Sequence, residues 1–175
     1  MTALGRRKIV WGGHPAITPM VWAACKDLGI NYSDAVVLYQ SKFFEETFPE
    51  ENQLFGNVRY IDAVAGDRNA SLLRMRRSML SRDDLDAAVF IGGMEGILDE
   101  YALFREFHEH AEVLAVPGPG GAARQLAQRL GAAGTEAQLF DLDFTRMFHT
   151  MLNIAPDEPR VEINREVDKP PAPEP

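Results

Sequence analysis

Ala88-Val-Phe-Ile-Gly92-Gly93-Met-Glu-Gly96-Ile-Leu-Asp-Glu100-Tyr-Ala-Leu-Phe104 is the stretch that decides the fold class. The run from Ala87 to Ile91 is apolar, has the length of a buried strand, and stops at a glycine pair. Beyond it, apolar residues recur at helical spacing. Glycine lets the chain turn sharply and lets a ligand approach the main chain closely. The first amides of the following helix have no partner within it and point outward. This junction of strand, glycine turn and helix is therefore predicted to hold a phosphate-bearing molecule, with Glu95, Asp99 and Glu100 in reach of its first turn.

Working outward, the same unit recurs. Lys8–Trp11 reads as a strand that enters Gly12-Gly13-His14-Pro15-Ala16-Ile17. Thr18 is the expected N-cap and Pro19 the first helical residue; the helix carries Met20, Val21, Ala24, Cys25 and Leu28 and stops at Gly29. Ala35–Tyr39 is a second strand. Ser41–Phe55, with Phe43, Phe44 and Phe48, is a predicted short helix interrupted near Pro49. A third strand covers Val58–Ile61, and the turn Gly66–Asn69 leads into a helix over Ser71–Leu80. Ala87–Ile91 is the expected central strand, with its helix over Leu98–Phe107. Glu112–Val116 leads into the loop Pro117–Gly121 and a helix ending at Gly131. A short apolar stretch, Gln138–Phe140, and a last helix from Phe144 to Leu152 follow. Strands alternating with helices predict a single α/β domain over residues 1–155, an open parallel sheet with helices on both faces. From Pro156, proline and alternating charge predict a flexible tail over 156–175.

Composition sets the outer limits. With 46% hydrophobic and 25% charged residues in 175, the chain has the make-up of a soluble globular protein. No apolar stretch approaches the ~20 residues that cross a bilayer, the N-terminus lacks the apolar region of a signal peptide, and Cys25 is the sole cysteine. These point to the cytoplasm and to no membrane partner. The net charge of −8 argues against a nucleic-acid polymer as partner, since backbone binders carry basic surfaces.

In an open parallel sheet, ligands bind beyond the carboxyl ends of the strands. Three such ends carry glycine turns: Gly12-Gly13, Gly92-Gly93 and Gly118–Gly121. None has the Walker pattern or the Gly-x-Gly-x-x-Gly fingerprint. The residues expected around a small anionic ligand are Gly12, Gly13, His14, Thr18, Ser41, Gly92, Gly93, Met94, Glu95, Gly96, Gly120 and Gly121. Arg74, Arg76 and Arg77 are forked donors for phosphate, although at i, i+2 and i+3 they do not all share a face. His14 reads equally as a turn residue bonded to backbone. Asp99 and Glu100 read either as ligand contacts or as complements to the helix dipole. His108 and His110 do not converge on one helix face, so no metal site is expected, nor any resident cofactor. Cys25, on an apolar face, reads as core.

Three segments carry a resemblance: Gly12-Gly13-His14-Pro15-Ala16-Ile17-Thr18-Pro19, Arg68-Asn-Ala-Ser-Leu-Leu-Arg-Met-Arg-Arg-Ser-Met79 and Phe90-Ile-Gly-Gly-Met-Glu-Gly96. Together they resemble the SLOG superfamily, which unites DprA-type proteins with the Lonely Guy (LOG) phosphoribohydrolases, and most closely its bacterial third cluster. The likeness spans Lys8 to Leu130 and implies a Rossmann-like fold, a nucleotide-derived ligand and a homodimer or higher homo-oligomer. It also implies a context of signal sensing. The LOG enzymes carry Pro-Gly-Gly-x-Gly-Thr-x-x-Glu and an upstream arginine. Gly92, Gly93 and Gly96 take the glycine places, Glu100 takes the glutamate's, and Arg76 or Arg77 takes the arginine's. Ile91 replaces the proline, Ile97 replaces the threonine, and Glu95 lengthens the loop by one residue. The resemblance thus implies fold and ligand class more than it implies hydrolysis. Three functions follow as expectations: binding of a nucleotide or nucleotide-derived signal, LOG-like cleavage of a nucleoside monophosphate, and an interaction module with an inert crevice.

Overall fold

Strand β1 (Ile9–Trp11) pairs in parallel with β2 (Val36–Ser41), which pairs in parallel with β3 (Asn57–Ile61). The structure, a computed structural model, describes residues 2–131 and 143–163; the expected apolar stretch at Gln138–Phe140 and the end of the tail lie outside them. The chain divides into two compact units, Ala3–Arg68 with the segment from Pro159, and Asn69–Glu158.

In the first unit β2 has a partner on each side, and all six of its residues are buried. An uninterrupted Val-Val-Leu-Tyr run suits a strand covered on both faces. The middle of this three-stranded sheet is therefore β2. Its core gathers Leu4, Cys25, Ala35, Val36, Leu38 and Phe55. Leu38 is wholly buried, a burial that stabilises by about 1.5–3 kcal/mol. Helix α1 (Thr18–Leu28) starts one residue earlier than its capping pattern predicts. Ile17 occupies the cap with no side-chain bond, and Thr18 is already helical. The reason is local: the amides of Ile17 and Thr18 both bond the carbonyl of His14, so a helical turn is under way before Thr18. The single helix expected over Ser41–Phe55 is two 3₁₀ turns, Lys42–Thr47 and Glu50–Leu54, separated at Pro49. Proline lacks an amide hydrogen and pushes the residue before it out of helical geometry. Beyond Pro156 the chain is held against this unit, where the Val161 amide bonds Gly5 O at 2.7 Å and Arg160 donates to Leu4 O. Ile163 packs on the core.

The second unit contains α2 (Arg68–Leu80, whose first residue falls in the other unit), β4 (Ala87–Ile91), α3 (Gly96–Phe107), β5 (Glu112–Val116), α4 (Gly121–Arg129) and α5 (Phe144–Met151). β4 and β5 pair in parallel from Ala87↔Glu112 to Ile91↔Val116. The expected central strand is thus one of a two-stranded pair. Phe90, Ala115, Ala123, Leu126 and Ala127 form the core, with Phe90 edge-on to Tyr101 at 6.1 Å. The small residues of α4 let its backbone lie close to the strands, which prepares the contact described next. Parallel strands in open sheets with interleaved helices make the chain α/β and Rossmann-like.

Candidate functional site

Gly92, Gly93, Gly120 and Gly121 all adopt positive φ, at 61°, 73°, 82° and 64°, a conformation that costs other residues. Gly121 has a second constraint. A Cβ there would stand 2.5 Å from Gly93 O and 2.9 Å from Gly92 C. The close approach lets the amides of Ala122 and Ala123 bond Gly93 O at 3.0 Å and Gly92 O at 2.9 Å. The amides of Ala122 and Ala123 in the first turn of α4 therefore bond the turn after β4 rather than facing a ligand. Arg124 fastens the same loop, its Nε donating to Pro117 O at 3.0 Å and Nη2 to Gly118 O at 3.1 Å. The Gly118–Gly121 turn braces the Gly92–Gly93 turn.

The start of α3 is assembled on that brace. The Ile97 amide bonds Met94 O and the Leu98 amide bonds Glu95 O. Ile97 lies over Gly93, in contact with the position a Cβ would occupy, so an aliphatic side chain stands where a threonine would present its hydroxyl. Glu95 is the cap residue but makes no side-chain cap bond, and Met94 is 86% exposed.

Here the structure separates the two arginines that the spacing left level. Arg76 Nε donates to Glu100 Oε1 at 3.0 Å, and its Nη1 lies 3.6 Å from Asp99 Oδ2. Its Nη2 would be 2.5 Å from a Cβ on Gly96. The absence of a side chain at Gly96 is what lets the guanidinium reach the beginning of α3. Arg77 points elsewhere, to Glu106 at 3.3 Å and over the Phe107 ring. Burial pushes the Glu100 carboxyl above its ordinary range; the Arg76 charge and hydrogen bond oppose this, and Asp99 adds to it. A carboxyl held closer to neutrality beside a fixed guanidinium can exchange a proton while the cation holds an anion.

In the first unit, the backbone at Gly13 lies against the carboxamide of Gln40. Gln40 Nε2 donates to Asn52 Oδ1 at 3.5 Å. Asn52 Nδ2 and Trp11 Nε1 are buried donors with no partner among the described residues. His14 is exposed and serves its own turn: its amide donates to Thr18 Oγ1 at 3.1 Å, and its Nδ1 accepts from the Ala16 amide at 3.2 Å. Thr18 is fully buried. Ser41, 1% exposed, caps the 3₁₀ turn by accepting from the Phe43 amide. Sequence reasoning passed over Gln40 and Asn52. A polar Gln at the carboxyl end of an apolar strand was the available signal.

Among the described residues, no helix is long and apolar enough to cross a membrane. No curated protein and no solved structure matches the chain. A family model does match it, over residues 1–152, and the chain belongs to the SLOG cluster3 family, a membership that points to a nucleotide-related function.

Proposed function

We propose that the chain binds a nucleotide or nucleotide-derived signal, with the phosphate at the start of α3 beside Arg76. The observation that carries this reading is the Arg76 guanidinium, held by Glu100 against the side-chain-free Gly96. A forked, always-charged donor at a glycine-rich helix start suits a phosphoryl group. The brace from α4 fixes the turn in advance, which lowers the ordering cost of binding. Ile97, by placing a methyl-bearing chain over Gly93, favours reception over chemistry. Thermal shift and calorimetry with AMP, ADP-ribose, NAD and cyclic nucleotides test the proposal. A ligand at 100 times its Kd stabilises the fold by about 2.7 kcal/mol, and Arg76→Ala removes that gain. No response to any member of the panel, with no nucleotide carried through purification, overturns it.

One observation favours a second reading, phosphoribohydrolase activity. The raised Glu100 carboxyl stands 3.0 Å from Arg76, a pairing able to protonate a leaving base while phosphate is held. The N-glycosidic bond would break, the base leaving with the Glu100 proton, and water would add to the ribose carbon and return a proton to the Glu100 carboxylate. Incubation with nucleoside monophosphates and assay for free base and ribose 5-phosphate decides it. Full activity in Glu100→Gln removes Glu100 from the mechanism.

A further inference from the structure

A groove of about 490 Å³ runs along α5 in the second unit, a volume in the range that holds a small organic ligand. It shares no residue with the candidate site at the start of α3. Thr145, Arg146, His149 and Thr150 line it and, at i, i+1, i+4 and i+5, make one helix face. Phe144, Met147, Phe148 and Met151 fall on the opposite face. Asp143, just before the helix, and Pro156, beyond it, complete the lining. The His149 ring is fixed from behind. Asn153 adopts φ 47°, the one positive value outside glycine among the described residues, and turns the chain back on the helix. Ile154 then exchanges two bonds with His149: its amide donates to His149 O at 3.0 Å, and its carbonyl accepts from Nδ1 at 2.7 Å. A carbonyl only accepts, so Nδ1 carries the proton and Nε2 of the uncharged imidazole is an acceptor. Nε2 has no partner among the described residues.

We propose that this groove binds an uncharged polyol, a ligand with vicinal hydroxyls such as a sugar, at a site separate from the nucleotide-type one. Charge and hydrogen-bond polarity lead to it. Arg146 Nε lies 3.5 Å from Asp143 Oδ2, and Asp143 Oδ1 accepts from the Arg146 amide at 2.9 Å. The guanidinium is thus neutralised at its own helix start. An anion brings only acceptors, and would set them against the Asp143 carboxylate and the His149 Nε2 lone pair. Each hydroxyl of a diol both donates and accepts. One gives its proton to Nε2, and the hydroxyls of Thr145 and Thr150, which also work either way, match its neighbour. Pro156 gives the CH face of a sugar ring apolar contact.

The test is saturation-transfer NMR on the full chain at pH 8, with glucose and myo-inositol as polyols, cyclohexanol as a ring with one hydroxyl, and inorganic phosphate as the anion. A polyol shows saturable transfer that phosphate does not displace, and cyclohexanol shows none. Thr150→Val, which removes a hydroxyl at an exposed position and keeps the shape, weakens the polyol about two- to tenfold, the loss of one hydrogen bond. Thr145→Val does the same, whereas Met151→Gln on the opposite face changes nothing. The proposal is overturned if neither polyol shows saturable transfer, if phosphate displaces it, if cyclohexanol binds as well, or if both threonine variants leave binding intact. Loss of polyol binding in Arg76→Ala also overturns it, since the sugar would then sit at the start of α3.

Discussion

Gly121→Ala puts the brace between the two glycine turns to a quantitative test. Two costs add. Alanine in the left-handed region at φ 64° costs about 1–2 kcal/mol. The added Cβ then meets backbone, Gly93 O at 2.5 Å and Gly92 C at 2.9 Å, which cannot swing aside as a side chain does. Relieving the clash separates the turns and breaks the bonds from Ala122 and Ala123, about 0.5–1.5 kcal/mol each net. The total is about 2–5 kcal/mol. Gly131→Ala is the control: its φ is 69°, and an added Cβ meets nothing within 4 Å among the described residues. It bears the conformational cost alone, about 1–2 kcal/mol. At about 2–4 °C per kcal/mol for a chain of this size, Gly121→Ala lowers Tm by roughly 4–20 °C and the control by roughly 2–8 °C. Far-UV circular dichroism is the right probe, because both tryptophans, Trp11 and Trp22, lie in the other unit. Equal losses in the two variants would refute the brace.

Three further outcomes are expected. Arg76→Ala, which leaves Glu100 without its guanidinium, costs about 1.5–3 kcal/mol, the range for hydrogen bonds to charged groups, whereas Arg77→Ala, at a half-exposed pair with Glu106, stays within about 0.5 kcal/mol; matched thermal melts compare them. Glu100 holds its proton to higher pH in the folded chain than in the unfolded one. Its contribution to stability is therefore fully present below its ordinary value and is lost as pH rises through the raised folded value; urea midpoints in the parent and in Glu100→Gln across that window differ by that slope. Burial pushes the Cys25 thiol up to about 11, so an aromatic disulfide reagent at pH 8 leaves the folded protein unmodified and titrates the thiol once urea unfolds it; fast labelling of the native protein contradicts its placement.

The elements were legible because their signals are local. Ala87–Ile91 and Glu112–Val116 came out with the predicted bounds, and glycine or proline marked most ends. Pairing was not legible. Nothing in Ala87–Ile91 says whether it has one neighbour or two, and β2 takes the middle of its sheet through contacts distant in sequence. The same gap runs through the site. Spacing placed Arg76 and Arg77 equally, and only the packing of α2 beside α3 sets one on Glu100 and the other on Glu106. The third glycine turn shows the limit from the other side. Its composition is that of an anion-binding turn, but the carbonyls of Gly92 and Gly93 take the Ala123 and Ala122 amides that follow it, a choice made by a backbone approach that no single segment encodes.

The return of Arg160, Val161 and Ile163 to the first unit has a consequence for how the chain is made. Apart from Thr2, the second unit is the continuous segment Asn69–Glu158, whereas the first takes its closing residues from both sides of that segment. During synthesis from the N-terminus, the second unit's whole sequence leaves the ribosome before the residues that seal Leu4 and Gly5. Domains fold as units while the chain emerges. Maturation is thus expected to run out of sequence order, the inserted unit closing first and the N-terminal one waiting on the residues that follow Glu158. A chain stopped short at Glu158 would carry a complete second unit beside a first that lacks its clasp.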